Sequence, residues 1–516
     1  MVIRLALLGV AFGAGLSTGP AAPDRHVVVL VWDGMRPDFV SAETTPNLSQ
    51  LTGGGVFFAN HHPVYLSATE VNGAAIATGA YPSHSGLIAN TDFRPALDPA
   101  EPVDMGDPSV IRKGDEVSGG HYFALPTLAE ILRTHGLSTV IAGSKWIALL
   151  QDRARRSDGP ESSSVLFQGE MLPPARQAAL AVLGNFPAAA PDENKTAQDA
   201  WTTGALLTVL WQNGVPPYTL LWLAEPDASQ HAAGPGSAQA LAAIKSSDTN
   251  LGRVLAELDR RGLRATTDVL VVSDHGFSTI GRKVDVAAAL VAAGFNAQRK
   301  MPGGLPPGGV MVVGNGGSTL LYVGGHDAGV SRRLVEYLQK QDWTGVIFSR
   351  EPQVGAFPLA AAHIAASDAP DLVVSLRWTA DKSATGVPGL QVSDLKPTSV
   401  KAGNHASLSR YDMHNTLVAA GPDFRPGVTD PLPSGNTDLA PTILWLLGCG
   451  DEAARMDGRV LAEALAIKGP PLKSFELHRL TAQRDTGAGV WRQYLQVSEV
   501  NGVRYLDEGN GALAPK

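Results

Sequence analysis

His26–Gly34 reads HVVVLVWDG. Six consecutive apolar residues, most of them β-branched, run into Asp-Gly, the pattern of a buried strand that stops abruptly. An acid at the carboxyl end of a central strand stands where open α/β sheets place their ligands. Two later stretches repeat the design. YTLLWLAEPD (218–227) ends in Asp227, and the apolar run of DVLVVSDHG (268–276) ends at Asp274 and His275. With His231 and His275 close to these acids, the three strand ends predict one metal-binding rim gathered from distant parts of the chain.

Outward from these strands, the chain alternates. GSAQALAAIKSSDTNLGRVLAELDRRG (236–262) is a long helix by its spacing. Leu241, Ile244, Leu251, Val254, Leu255 and Leu258 form its apolar stripe, Ser237 caps it and Gly262 ends it. Strand, helix and strand thus recur from 218 to 274, as in a largely parallel sheet. Further helices are predicted from Thr69 to Gly79, in LPTLAEILRTHG (125–136), in TAQDAWTTGALLTVLWQNG (196–214) and in NTDLAPTILWLLG (436–448). Residues 91–122 read as loop, and 150–200 as an irregular insertion over the site. Residues 280–400 read as an inserted lobe plus a strand, DLVVSLRW (371–378), that returns to the sheet. Near the end, WRQYLQVSEVNGVRYLDEG (491–509) alternates around Asn501-Gly502, a hairpin signal. His61-His62 reads as the opening of the loop before the Thr69 helix.

The chain of 516 residues is 44% hydrophobic, enough for a large core. Its net charge is −8 and it has no basic run, which argues against a nucleic-acid polymer as partner. Met1–Ala22 has Arg4, a short apolar stretch and small residues before Asp24, the layout of a secretory signal. An exported protein, periplasmic or secreted, with no membrane span after signal removal is expected. Cys449 is the single cysteine, so no intrachain disulfide can form, and it reads as a small buried apolar residue.

Asp227 and His231 are four apart and share a face on one helical turn. Together with Asp33, Asp274, His275 and a further His-bearing loop they offer nitrogen and oxygen donors for two divalent ions, without thiolates. Such a pair is the clamp used for in-line displacement at phosphorus. The chemistry needs a nucleophile, and a hydroxyl at a helix start suits it: Thr69, with Ser67 as the nearby competitor.

These residues resemble those of the alkaline phosphatase superfamily, and most closely its type I phosphodiesterase/nucleotide pyrophosphatase branch. Asp33 is followed by Thr69 after 36 residues and by Asn90 after 21 more; Asp227-x-x-x-His231, Asp274-His275-Gly276 and Gly403-Asn404-His405 follow in order. The resemblance implies a three-layer α/β/α sandwich with a largely parallel central sheet and cap insertions. The catalytic domain would span 23–470, with insertions near 91–122, 150–200 and 280–400, and a C-terminal extension would span 471–516. It implies two divalent metal ions, zinc by preference. One would be held by Asp227, His231 and His405, with His414 as the rival of His405. The other would be held by Asp33, Thr69, Asp274 and His275. Thr69 would attack phosphorus and carry a phosphothreonine intermediate, while Asn90 would bind a non-bridging oxygen.

The chain departs from the branch in SATEVN (67–72) after the strand loop and in NHASLSRYDMHN (404–415). Lys145, in AGSKWIALLQDR, falls where monoesterases and phosphonoacetate hydrolases of the superfamily carry a phosphate-binding lysine; its plain reading is a solvated side chain. The expected function is a phosphodiesterase/nucleotide pyrophosphatase acting on a small phosphoester, nucleotide-like or aryl. The alternatives are a phosphomonoesterase on the same centre, a phosphonoacetate hydrolase, or a non-catalytic binding protein.

Overall fold

A computed structural model describes residues 25–153, 163–190, 193–467 and 475–515; the expected signal segment, 1–22, lies outside them. The opening stretch forms β1 (His26–Trp32) in the middle of a nine-stranded sheet. The other strands are β2 (Val56–Phe58), β3 (Thr139–Gly143), β4 (Ser164–Phe167), β5 (Glu170–Leu172), β6 (Tyr218–Leu223), β7 (Thr267–Val272), β8 (Leu417–Ala420) and β9 (Val428–Asp430). Their order across the sheet is β9-β2-β8-β7-β1-β6-β3-β4-β5. The five strands β7, β1, β6, β3 and β4 run parallel.

The period of two along β1 divides the core. Val27, Val29 and Val31 face one layer, with Ile76, Leu132 and Ile443. Val28, Leu30 and Trp32 face the other, with Leu48, Leu251 and Leu258. The first layer holds α2 (Thr69–Thr78), α3 (Leu128–Thr134) and α7 (Leu439–Leu446); the second holds α1 (Pro46–Gly53), α4 (Thr196–Ala205) and α6 (Ala238–Arg260). The short helix α5 (Asp227–Ala233) sits past the end of β6. This is the three-layer α/β/α sandwich expected from the sequence.

Register then sets the site. Val31 stands opposite both Trp222 and Val272, so β1, β6 and β7 end level. Asp33, Asp227 and Asp274 all follow those ends and are buried.

Three readings of the sequence need correction. Within 91–122 the chain forms a helix, Pro108–Ser118, started by Asp107, whose carboxylate accepts from the Ser109 and Val110 N–H groups. Within 150–200, Ser164–Leu172 is no covering insertion: β4 pairs with β3 and β5 turns back on β4, extending the central sheet. DLVVSLRW does not return to that sheet. Its strand, Leu372–Leu376, lies in a separate six-stranded sheet built from Ala297–Pro358 and itself. The returning strand is β8, antiparallel to β7. The Asn501-Gly502 hairpin forms as expected between Val490–Val500 and Val503–Ala514, both turn residues having positive φ, and Glu476–Asp485 adds a third strand. Cys449 is buried. Among the described residues no helix is long and apolar enough to cross a membrane.

Helix α1 has no cap of its own, because the Thr45 side chain makes no capping bond. Asp248, from the middle of α6, supplies one. Its carboxylate accepts from the backbone N–H groups of Asn47 (3.1 Å) and Leu48 (2.9 Å) and from the Asn47 amide (2.8 Å). Asp248→Ala should therefore cost about 1–2 kcal/mol, as loss of an N-cap does. A denaturant melt checks this; an unchanged midpoint would show that α1 needs no cap from α6.

Candidate metal centre

Each acid enters the site from a strand end, and its two oxygens have different partners. Asp33 Oδ2 accepts from the Trp222 indole N–H (2.9 Å) and the Lys145 ammonium (2.8 Å). Asp227 Oδ2 also accepts from Lys145 (3.0 Å). Asp274 Oδ1 accepts from the backbone N–H groups of Gly34 and His275, both at 3.0 Å. The second oxygens, Asp33 Oδ1, Asp227 Oδ1 and Asp274 Oδ2, are buried and have no hydrogen-bond partner.

Imidazoles face those bare oxygens. His275 Nε2 is 3.3 Å from Asp274 Oδ2 and 3.6 Å from Asp33 Oδ1. His231 Nε2 and His405 Nε2 lie 3.3 and 3.6 Å from Asp227 Oδ1. All three rings give their Nδ1–H to a backbone carbonyl: His231 to Gly403 (3.0 Å), His275 to Gly276 (2.8 Å) and His405 to Ser67 (2.9 Å). Nε2 is then a lone pair directed at a carboxylate, the arrangement found when a cation sits between them.

The ionisation behaviour agrees. Burial, and then Asp274, push the Asp33 carboxyl well above the usual range. Burial also opposes the Asp227 carboxylate, but Lys145 and His231 outweigh it and hold its pKa well below normal. Burial, and then His275, keep His405 neutral, and burial lowers His231. Ligand atoms of Asp33, Asp274 and His275 lie within 4.8 Å of one another, as do those of Asp227, His275 and His405, so both groups could hold a metal ion. His231 stands outside the tight second group and His275 belongs to both, whereas the resemblance implied His231 in one and His275 only in the other.

Thr69 starts α2 beside the first group, and its hydroxyl lies 3.2 Å from His275 Nε2. Asn72, one turn on, fixes that start: its amide bonds the carbonyls of Val64, Leu66 and Ala68 and accepts from the Val64 N–H. Ser67, the competing hydroxyl, donates instead to the Ser407 carbonyl. Asn90 comes alongside, accepting from the Glu70 N–H at 3.0 Å. Lys145 is no solvated lysine; Asp227 and Asp33 overcome burial and raise its pKa well above normal.

His414 does not join this centre. Its ring meets His62, with centroids 4.6 Å apart. Gly276 shows why the chain turns where it does: a Cβ there would lie 2.0 Å from the Tyr411 carbonyl oxygen and 2.5 Å from that of His414.

Sequence reading missed the supports. Trp222 sits inside the apolar run 218–223, and its indole N–H donates to Asp33. Asn436 donates to the carbonyl of Asp274 (2.7 Å) and to Asn72 (3.0 Å), tying α2 to the β7 end. Asp199 accepts from the Ala224 and Glu225 N–H groups and shapes the turn into Asp227. A polar residue inside an apolar helix, as Asn72 is in α2, was the available signal.

Known proteins share this architecture. Bis(5'-adenosyl)-triphosphatase of Xenopus laevis is 22% identical over 254 residues, 49% of this chain and 47% of that protein. Mouse ectonucleotide pyrophosphatase/phosphodiesterase family member 7 is 24% identical over 52% of this chain and 53% of its own. The chain thus matches about half the length of these relatives. Among solved structures, murine ectonucleotide pyrophosphatase/phosphodiesterase 5, an inactive form in complex with AMP, has a TM-score of 0.58 at 17% identity, covering 82% of this chain and 95% of that one. Its human counterpart has a TM-score of 0.56 at 16% identity with the same coverage. Residues 27–384, well over half of the chain, match the family model described as type I phosphodiesterase / nucleotide pyrophosphatase, and the strand-end acids Asp33, Asp227 and Asp274 fall inside that span: the chain belongs to this family.

Proposed function

We propose that this protein is an exported phosphodiesterase that cleaves a nucleotide-like or aryl phosphodiester through a covalent phosphothreonine. The observation that carries the reading is the set of bare oxygens on Asp33, Asp227 and Asp274 opposite the Nε2 lone pairs of His231, His275 and His405. Asp33, Thr69, Asp274 and His275 would hold one divalent cation, and Asp227, His231 and His405 a second. Zinc fits these donors. Such ions supply Lewis acidity, lowering the pKa of a bound hydroxyl and offsetting charge on a phosphoryl group.

The residues do the rest. Thr69 Oγ1 stands at the head of α2, where the helix N-terminus favours an anion. Its oxygen would form the bond to phosphorus as one ester oxygen leaves, the threonine proton passing through solvent to that leaving oxygen. The phosphoryl group on Thr69 keeps its second ester, and water would then release it as the monoester. The Asn90 Oδ1 bond to Glu70 fixes that amide beside the nucleophile. Its NH₂ and the Thr69 N–H would hold a non-bridging oxygen. AMP in the murine neighbour and the dinucleoside substrate in the name of the frog relative support a nucleotide-like substrate. Export rests on the Met1–Ala22 composition and on the ectoenzyme names among the relatives.

A second reading, a phosphomonoesterase, is favoured by one observation: the Lys145 ammonium lies inside the centre, where a phosphate contact would be made. Turnover of a nitrophenyl nucleotide diester against a nitrophenyl monoester separates the two. Diester cleavage should be the faster. Faster monoester cleavage that is lost on Lys145→Ala would reverse the order.

Thr69→Ala should lower kcat on the diester by about a thousandfold or more, as loss of a nucleophile does, and acid-quenched turnover of wild type should leave on Thr69 the phosphoryl group with its remaining ester. A variant with near wild-type kcat would remove Thr69 from the chemistry. Chelator treatment should abolish turnover and added zinc should restore it; activity undiminished after metal content has fallen to zero would end the metal reading.

A further inference from the structure

A second cluster of metal-ligating side chains lies outside the centre. His62 follows β2, His414 precedes β8, and Asp507 belongs to the C-terminal ribbon. One ligand atom from each lies within 4.8 Å of the others. His62 is 1% exposed and Asp507 5%.

The hydrogen-bond pattern of His62 repeats that of His231, His275 and His405. Its Nδ1 is 3.1 Å from the Ser434 carbonyl, to which it donates. Nε2 is buried without a hydrogen-bond partner, yet it faces Asp507 Oδ1 at 2.9 Å. With Nδ1 turned to the Ser434 carbonyl, Nε2 is the nitrogen left to face the carboxylate, the position a metal ligand takes. Ser498 orients the carboxylate, with its hydroxyl 2.8 and 3.0 Å from the two oxygens. His414 sets its ring edge-on to that of His62, with centroids 4.6 Å apart, and so brings its own ring nitrogens to the same place. Arg410, the cation on the loop of His414, pairs with Glu508 at 2.6 Å.

We propose that His62, His414 and Asp507 bind a further divalent transition cation, which staples the C-terminal ribbon to the loop that carries His405. Two imidazole nitrogens and one carboxylate oxygen suit zinc and leave a place for one water; calcium and magnesium prefer all-oxygen shells. The carbonyl partner of His62 Nδ1 and the Ser498 hydroxyl on Asp507 are the outer contacts that such a site uses to aim its ligands. The site is separate from the Asp33–Asp227 centre and stands whether or not that centre hydrolyses phosphodiesters.

The test uses the full chain, stripped by chelator, reloaded with zinc alone and washed free of excess. Metal content per chain should fall by one equivalent in His414→Ala and in Asp507→Asn relative to wild type. That difference holds whatever the other centre retains. Equal zinc content in wild type and both variants would overturn the site. Because either variant could fold poorly, crystals of zinc-loaded wild type provide a second measurement. Anomalous scattering at the zinc edge should give a peak bounded by His62 Nε2, His414 and Asp507. A direct His62–Asp507 hydrogen bond with no peak there, in crystals whose other centre shows zinc, would mean that a proton does this work, and the proposal would be wrong.

Discussion

Three carboxylates buried at one end of one sheet are the constraint on which the rest depends. Two such charges a few ångströms apart repel strongly once water is excluded, and three cannot stay ionised there without cations. Lys145 supplies one charge, yet Asp33 remains pushed well above the normal carboxylate range by burial and by Asp274. The Nδ1 protons of the histidines already point outward to the carbonyls of Gly403, Gly276 and Ser67, and what His231 contributes goes to Asp227, not to Asp33. The fold holds this unfavourable arrangement because β1, β6 and β7 are fixed in register by strands buried on both faces.

Much of this was legible because the same physics writes both the strand and its end. A strand buried on both faces needs an unbroken apolar run, and in HVVVLVW, YTLLWL and DVLVV the break falls at an acid. The parallel order follows from the helix between the second and third runs, and parallel strands bring their carboxyl ends to one edge. Thr69 was legible through the helix it begins, and the structure starts α2 at that residue. His405 and His414 could not be separated by spacing alone. The loop that carries both turns between them, sending one ring to Asp227 and the other to His62.

What stayed hidden was hidden for physical reasons. Strands β4 and β5 are short, and their apolar content looks like any loop until β3 is there to pair with them. The Leu372–Leu376 run has the composition of a central strand, and only topology decides which sheet takes it. Trp222 hides a polar task behind an apolar body: its ring packs in the core while the indole N–H reaches Asp33. Asn72 and Asn436 act through one another across 364 positions, a relation that no local window contains.

The position of Lys145 bears on what the centre can accept. A lysine has three N–H donors, and two are committed, to Asp33 Oδ2 and Asp227 Oδ2. It does not compete with a metal, because the oxygens it takes are not the bare ones; it turns each carboxylate so that Oδ1 faces an imidazole. Its charge is largely spent on those two anions, leaving one donor and little net field for a substrate. A phosphomonoester dianion would gain less from such a lysine than from one with no carboxylate partner, whereas a diester, with one charge fewer, loses little. The lysine that by sequence pointed toward monoesters is placed so that it orients the acids first, with one N–H donor left over.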